Sequence, residues 1–105
     1  MKYFESVEDF KSFINGEGAN KSIIIDFFAE WCGPCRGIAP FFSDLSEMYK
    51  NVVFAKVDVD NAEDIANFAR VSSLPTFILV KNGAEVARFT GASKPSLENL
   101  VRKAL

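Results

Sequence analysis

The chain has 105 residues, with 12 lysines and arginines against 14 aspartates and glutamates, for a formal net charge of −2. The charges are interspersed and form no basic stripe, which argues against a nucleic-acid partner. Hydrophobic residues make up 49% and charged residues 25%, the composition of one globular domain spanning 1–105.

No apolar run approaches the length of about 18 residues that a membrane span needs. The start, MKYFESVEDF, lacks the apolar centre of a signal peptide, so the expected compartment is the cytoplasm. In chain order, a short strand is expected over Lys2–Glu5. Ser6, followed by Val7, Glu8 and Asp9, has the form of a helix N-cap. The apolar stripe of that helix is Val7, Phe10, Phe13 and Ile14, and it ends near Asn15-Gly16. A polar loop then runs from Gly16 to Ser22.

Ile23-Ile24-Ile25-Asp26-Phe27-Phe28-Ala29 is a short apolar run of β-branched and aromatic residues, read as a strand buried on both faces. Next comes EWCGPCR, Glu30 to Arg36, which holds both cysteines of the chain. Ile38, Phe41, Phe42, Leu45 and Met48 then recur at helical spacing. Pro40 lies inside that helix, where it removes a hydrogen bond and should kink it.

Val52 to Val59 is a further buried strand. Asn61 is placed to cap a helix with the stripe Ala62, Ile65, Ala66 and Ala69. Thr76 to Val80 is another strand, and Asn82-Gly83 is a hairpin signal. Glu85 to Thr90 returns antiparallel, with Glu85 and Arg88 suited to a sheet edge. Ser93 caps a last helix with the stripe Leu97, Leu100, Val101 and Ala104. Strands alternating with helices imply an α/β fold with right-handed parallel crossovers. The expected architecture is a mixed central sheet of about five strands flanked by four helices.

On that frame Cys32 follows the carboxyl end of a central strand, where open α/β sheets place their sites. It also starts a helix, whose free N–H groups and dipole favour a thiolate. Cys32 and Cys35 lie one helical turn apart, a spacing that suits a disulfide. Gly33 permits the tight turn, and Pro34 fits a first turn whose N–H groups have no helical partner. Three uses of the pair compete. A structural disulfide closing so small a ring adds little stability. A zinc site usually takes four ligands, whereas the chain has two thiols and no histidine; no metal site is expected. A working redox dithiol is the favoured reading.

Asp26 interrupts an apolar strand, so burial should raise its pKa. It is either a structural aspartate bonded to backbone or a buried acid/base serving the dithiol. Lys56, on the other buried strand, is either its neighbour or a snorkelling surface lysine. Asp58 and Asp60 read as a solvated strand end.

The sequence resembles the thioredoxin family over essentially its whole length. The resemblance is carried by FFAEWCGPC at Phe27 to Cys35, Pro40, Val57-Asp58-Val59-Asp60, Leu74-Pro75-Thr76-Phe77, Asn82-Gly83 and Gly91-Ala92. It implies the thioredoxin fold and a protein disulfide reductase. Cys32 would be the exposed nucleophile, Cys35 the shielded resolving thiol and Asp26 the acid/base. Pro75 would be a cis-proline packed against the dithiol. The Leu74 backbone would pair with an extended substrate, and Trp31, Gly33, Pro34, Leu74, Gly91 and Ala92 would form an apolar docking face.

The resemblance also implies partners. Electrons would come from NADPH through a flavin-containing thioredoxin reductase, with no cofactor bound to this chain. Candidate targets are peroxiredoxins, ribonucleotide reductase and methionine sulfoxide reductases, met by a monomer. The competing readings are a disulfide oxidase or isomerase, and a redox-dependent binding module. Two departures stand out: Phe28, where the family often has tryptophan, and Gly37, where a better helix former is common.

Overall fold

Short apolar runs alternate with amphipathic stretches along the chain, and the computed structural model, which describes residues 1–105, turns them into strands and helices in the expected order. The elements are β1 (Lys2–Tyr3), α1 (Val7–Asn15), β2 (Ser22–Phe28), α2 (Gly33–Met48), β3 (Val53–Asp58), α3 (Glu63–Phe68), β4 (Thr76–Lys81), β5 (Ala84–Thr90) and α4 (Lys94–Ala104). The sheet order is β1-β3-β2-β4-β5. β1, β3 and β2 are parallel, while β4 runs antiparallel to both β2 and β5. This is the mixed five-stranded sheet with four helices expected from the sequence, and β2 is its central strand.

The two faces of β2 follow its period of two. Ile23, Ile25 and Phe27 face a core shared with Phe10 and Phe13 of α1 and Ile65 of α3. Ile24 faces the opposite core, shared with Ile38, Phe42 and Leu45 of α2 and Leu97, Leu100 and Val101 of α4. Asp26 therefore lies on the α2 side. Rings fill that side: Phe42 meets Phe54 at 5.3 Å between centroids, and Phe77 stacks on Phe89 at 5.0 Å. Both are productive aromatic geometries.

The Ser6 hydroxyl caps α1, accepting from the Asp9 N–H at 3.0 Å, and Ser93 caps α4 through the Ser96 N–H at 3.2 Å. Three expectations need correction. β1 ends at Tyr3 rather than Glu5, because the Glu5 N–H donates to the Asp9 carboxylate at the start of α1. Ala62, not Asn61, holds the N-cap position of α3, which has no side-chain cap; the Asn61 amide donates instead to Asp58 Oδ2 at 3.1 Å. Met48, counted in the α2 stripe, is 68% exposed. It is the last residue of the helix, and the buried stripe stops at Leu45.

The hairpin turn places Asn82 and Gly83 at φ 53° and 80°, the left-handed region that this dipeptide tolerates. β5 is an edge strand, with a register irregularity opposite Leu79 and Val80. Arg88 on β5 pairs with Glu85 at 2.6 Å and also donates to the Ala69 carbonyl at 2.8 Å, tying the edge to the end of α3. Such charges and irregularities protect an edge from pairing with other chains.

Gly37 lies within α2, and a Cβ built there meets nothing within 4 Å. Gly37→Ala is therefore expected to stabilise the protein by about 0.5–1 kcal/mol. The check is a raised urea midpoint at unchanged m-value.

Candidate active site

β2 delivers its last residues to the middle of the carboxyl edge of the parallel strands. After Phe28 the chain turns through Ala29, Glu30 and Trp31, closed by a hydrogen bond from the Cys32 N–H to the Ala29 carbonyl at 3.2 Å. Cys32 is the N-cap residue of α2, and its sulfur accepts the Cys35 N–H at 3.3 Å. A backbone N–H of the helix start thus points at the one sulfur, and together with the helix dipole it stabilises negative charge there when the pair is reduced. Proline occupies the first turn, where it forfeits no helical bond. Cys32 and Cys35 form a disulfide with their Cα atoms 5.2 Å apart.

The expectation of an exposed Cys32 needs correction. Cys32 is 5% and Cys35 3% accessible. With the bond closed, the pair packs against Ala29, Phe28, Val59 and Leu74. The same turn leaves Gly33, Pro34 and Trp31 outside, and Trp31 is 70% exposed.

The Trp31 indole is nevertheless tethered. Its Nε1 donates to Asp60 Oδ2 at 2.9 Å, and the Asp60 N–H donates to Asp58 Oδ1 at 3.0 Å. Sequence reasoning missed this role and took both aspartates for a solvated strand end. Nothing local marks it, because the tryptophan lies 29 residues away.

The Leu74-Pro75 peptide bond is cis, and Pro75 is buried. The Pro75 carbonyl accepts from the Gly91 N–H at 2.9 Å, and Gly91 has φ 99°. Leu74 packs against the dithiol cluster, while its own N–H and C=O enter no backbone hydrogen bond. Trp31, Cys32, Val59, Val71 and Leu74 line one open groove beside the disulfide. Ala92, next to Gly91, is exposed.

Asp26 is 1% exposed, and neither carboxyl oxygen has a hydrogen-bond partner. The structural reading, in which backbone bonds satisfy it, therefore does not apply. β2 and β3 place Asp26 beside Lys56 in register, with the ammonium 3.8 Å from Oδ2. Burial pushes the Asp26 pKa up to about 6, against the opposing pull of Lys56. The Lys56 ammonium also lies 4.5 Å from the centre of the Phe28 ring. No cluster of three or more histidine, cysteine, aspartate or glutamate side chains is placed to hold a metal. No helix is long and apolar enough to cross a membrane.

A reversible disulfide at the N-terminus of a helix, at the carboxyl end of the central strand and beside a cis-proline, defines a dithiol–disulfide oxidoreductase. Comparison with known proteins agrees. The thioredoxin family model matches residues 2–103. Thioredoxin from Sus scrofa is 45% identical over 103 residues, covering 98% of this chain and 97% of that protein. Human thioredoxin is 43% identical over the same length. The crystal structure of Fasciola hepatica thioredoxin superimposes with a TM-score of 0.96 at 41% identity, covering both chains fully. A chain from a structure describing thiol resolution in yeast mitochondrial 1-Cys peroxiredoxin through glutathione and thioredoxin systems is 33% identical, with a TM-score of 0.90 and 98% and 94% coverage. The chain belongs to the thioredoxin family, and its activity is that of a protein disulfide reductase.

Proposed function

We propose that this chain works as a single-domain, monomeric cytoplasmic electron carrier. It would be reduced by a flavin-containing thioredoxin reductase that draws on NADPH, and would itself reduce disulfides in target proteins. In the proposed cycle the Cys32 thiolate attacks a substrate disulfide. One substrate sulfur leaves as a thiolate and takes up a proton, and the other is joined to Cys32. Cys35 then loses its proton to the Asp26 carboxylate and attacks the Cys32 sulfur. The second substrate sulfur leaves, the substrate is a dithiol, and Cys32–Cys35 carries the disulfide. Asp26 releases its proton to solvent before the next turnover.

The observation that carries this reading is the Cys35 N–H aimed at the Cys32 sulfur, which favours Cys32 as the thiolate. The unbonded Leu74 backbone next to cis-Pro75 supports pairing with an extended substrate strand. Exposed Trp31, Gly33, Pro34 and Ala92 with half-buried Leu74 and Gly91 supply the surrounding face. Peroxiredoxins are the first targets to try, given the yeast structure described above; ribonucleotide reductase and methionine sulfoxide reductases follow.

The direction of electron flow is tested by equilibrating the protein with glutathione buffers. The dithiol is expected to be mostly oxidised at a glutathione ratio typical of the cytosol, as a reductant must be. A mostly reduced pair in that buffer would instead favour an oxidase or isomerase.

A further inference from the structure

The cycle above gives Phe28 no task. Its ring stands at the end of β2, on the same face as Asp26 and two residues beyond it. The Lys56 ammonium lies 4.5 Å from the ring centre and 3.8 Å from Asp26 Oδ2. The second distance is too long for a hydrogen bond, and both Asp26 oxygens lack one. The carboxylate alone therefore does not fix the ammonium. The lysine stem is flexible and its side chain is 14% exposed, so other partners compete for the charged head.

Those partners are close by. Lys56 lines an open cavity together with Glu5, Glu30 and Asp58. Lys56 also lines a second cavity, with Tyr3, Arg36 and Ser43. A cation over a ring face within about 6 Å is held by the ring quadrupole, more strongly where water is excluded. We propose that Phe28 is a positioning residue: its ring holds the Lys56 ammonium against Asp26, away from Glu5, Glu30 and Asp58, and so sets the pH at which Asp26 gives up its proton.

Few other charges face Asp26. From α2 come Cys32 and Cys35, bonded to each other, and Arg36, whose guanidinium donates to the Glu30 carbonyl at 2.9 Å. β4 presents Phe77, directly opposite Asp26 in register, which carries no charge. β3 presents Lys56 and Asp58, and the Asp58 carboxylate already accepts from the Asp60 N–H and the Asn61 amide. β1 offers only Tyr3, in register with Lys56. Lys56 is the one charge that opposes the effect of burial on Asp26, so its placement controls that proton.

The consequence for turnover rests on Asp26 acting as the acid/base, but the first readout does not. The Asp26 carboxyl carbon is titrated by NMR in the oxidised full-length protein, where the thiols are silent. Two ringless variants of similar volume, Phe28→Leu and Phe28→Met, are compared with Phe28→Tyr, Lys56→Met and Phe28→Leu/Lys56→Met. The ringless variants and Lys56→Met are expected to move the midpoint upward by about 0.5–1 pH unit. Phe28→Tyr leaves it in place, and the double variant moves it no further than Lys56→Met alone. An unmoved or lowered midpoint without the ring, or additive shifts in the double variant, would overturn the proposal. The pH profile of disulfide reduction by Phe28→Leu should move alkaline by the same amount. A moved midpoint with an unmoved profile would leave the positioning intact and remove Asp26 from the cycle.

Discussion

Cys35→Ser protein, mixed with disulfide-bearing targets, is expected to accumulate covalent complexes through Cys32, whereas Cys32→Ser accumulates none. Either substitution should lower disulfide reduction by more than about 100-fold, because each removes a bond-forming sulfur rather than a supporting contact. The asymmetry comes from α2. The Cys32 sulfur sits at the N-cap and accepts a backbone N–H, so negative charge is stabilised on it. Cys35 lies inside the first turn with no backbone N–H on its own sulfur, and the sulfur it is placed to attack is that of Cys32 beside it. The serine hydroxyl in Cys35→Ser keeps the turn and cannot release the mixed disulfide. Non-reducing electrophoresis followed by mass spectrometry of the captured species makes the check. Equal capture by both variants would reverse or abolish the assigned order of attack.

How much of this was legible beforehand depends on whether a feature is local. The strand-turn-helix around Cys32 is written in adjacent residues: a β-branched run, a Gly-Pro pair and a helical stripe. Their physics needs no distant partner, so the dithiol and its place on β2 were readable. Asp26 was legible as an anomaly, because a carboxylate in an apolar strand has few inexpensive explanations. Lys56 was legible only as an open choice, since nothing but the parallel register of β2 and β3 puts it beside Asp26.

Non-local features stayed hidden. The Trp31–Asp60 bond joins residues 29 apart, and the contact of Lys56 with Phe28 depends on the same register as the Asp26 pair. The exposure of Cys32 was misread for a related reason. A single sequence shows that a residue begins a helix, but not that Val59 and Leu74 close over it. The N-cap of α3 failed because the helix starts one residue later than read: Ala62 holds the cap position, and the Asn61 amide donates to the Asp58 carboxylate at the end of β3.

Asp26→Asn is expected to stabilise the oxidised protein at pH 7.5 by about 3 kcal/mol and to flatten its stability between about pH 4 and 7. The Asp26 carboxyl has no hydrogen-bond partner, and burial lifts its pKa from 3.8 to about 6 in the folded state. An acid whose folded pKa lies above its unfolded value binds its proton more tightly when folded. Its favourable contribution is therefore complete below the unfolded pKa and is lost as pH rises through the folded one. At about 1.4 kcal/mol per pH unit, the rise to about 6 corresponds to the predicted 3 kcal/mol. Asparagine, which never ionises, avoids that loss. Glu85 acts in the opposite sense, because its hydrogen bond to Arg88 lowers its pKa. It loses its contribution as pH falls below the normal carboxylate range, outside the Asp26 window, and its exposure makes the effect small. Urea unfolding of both proteins from pH 4 to 8 separates the two. The wild-type curve should fall through pH 6 while the Asn variant stays level, and parallel curves would mean that Asp26 is not held away from its ordinary acidity. Turnover should move the other way if the proposed cycle holds, since Asp26→Asn removes the proton acceptor that the cycle gives Cys35. Greater stability with slower reduction in one variant would identify Asp26 as a group kept for chemistry at the expense of the fold.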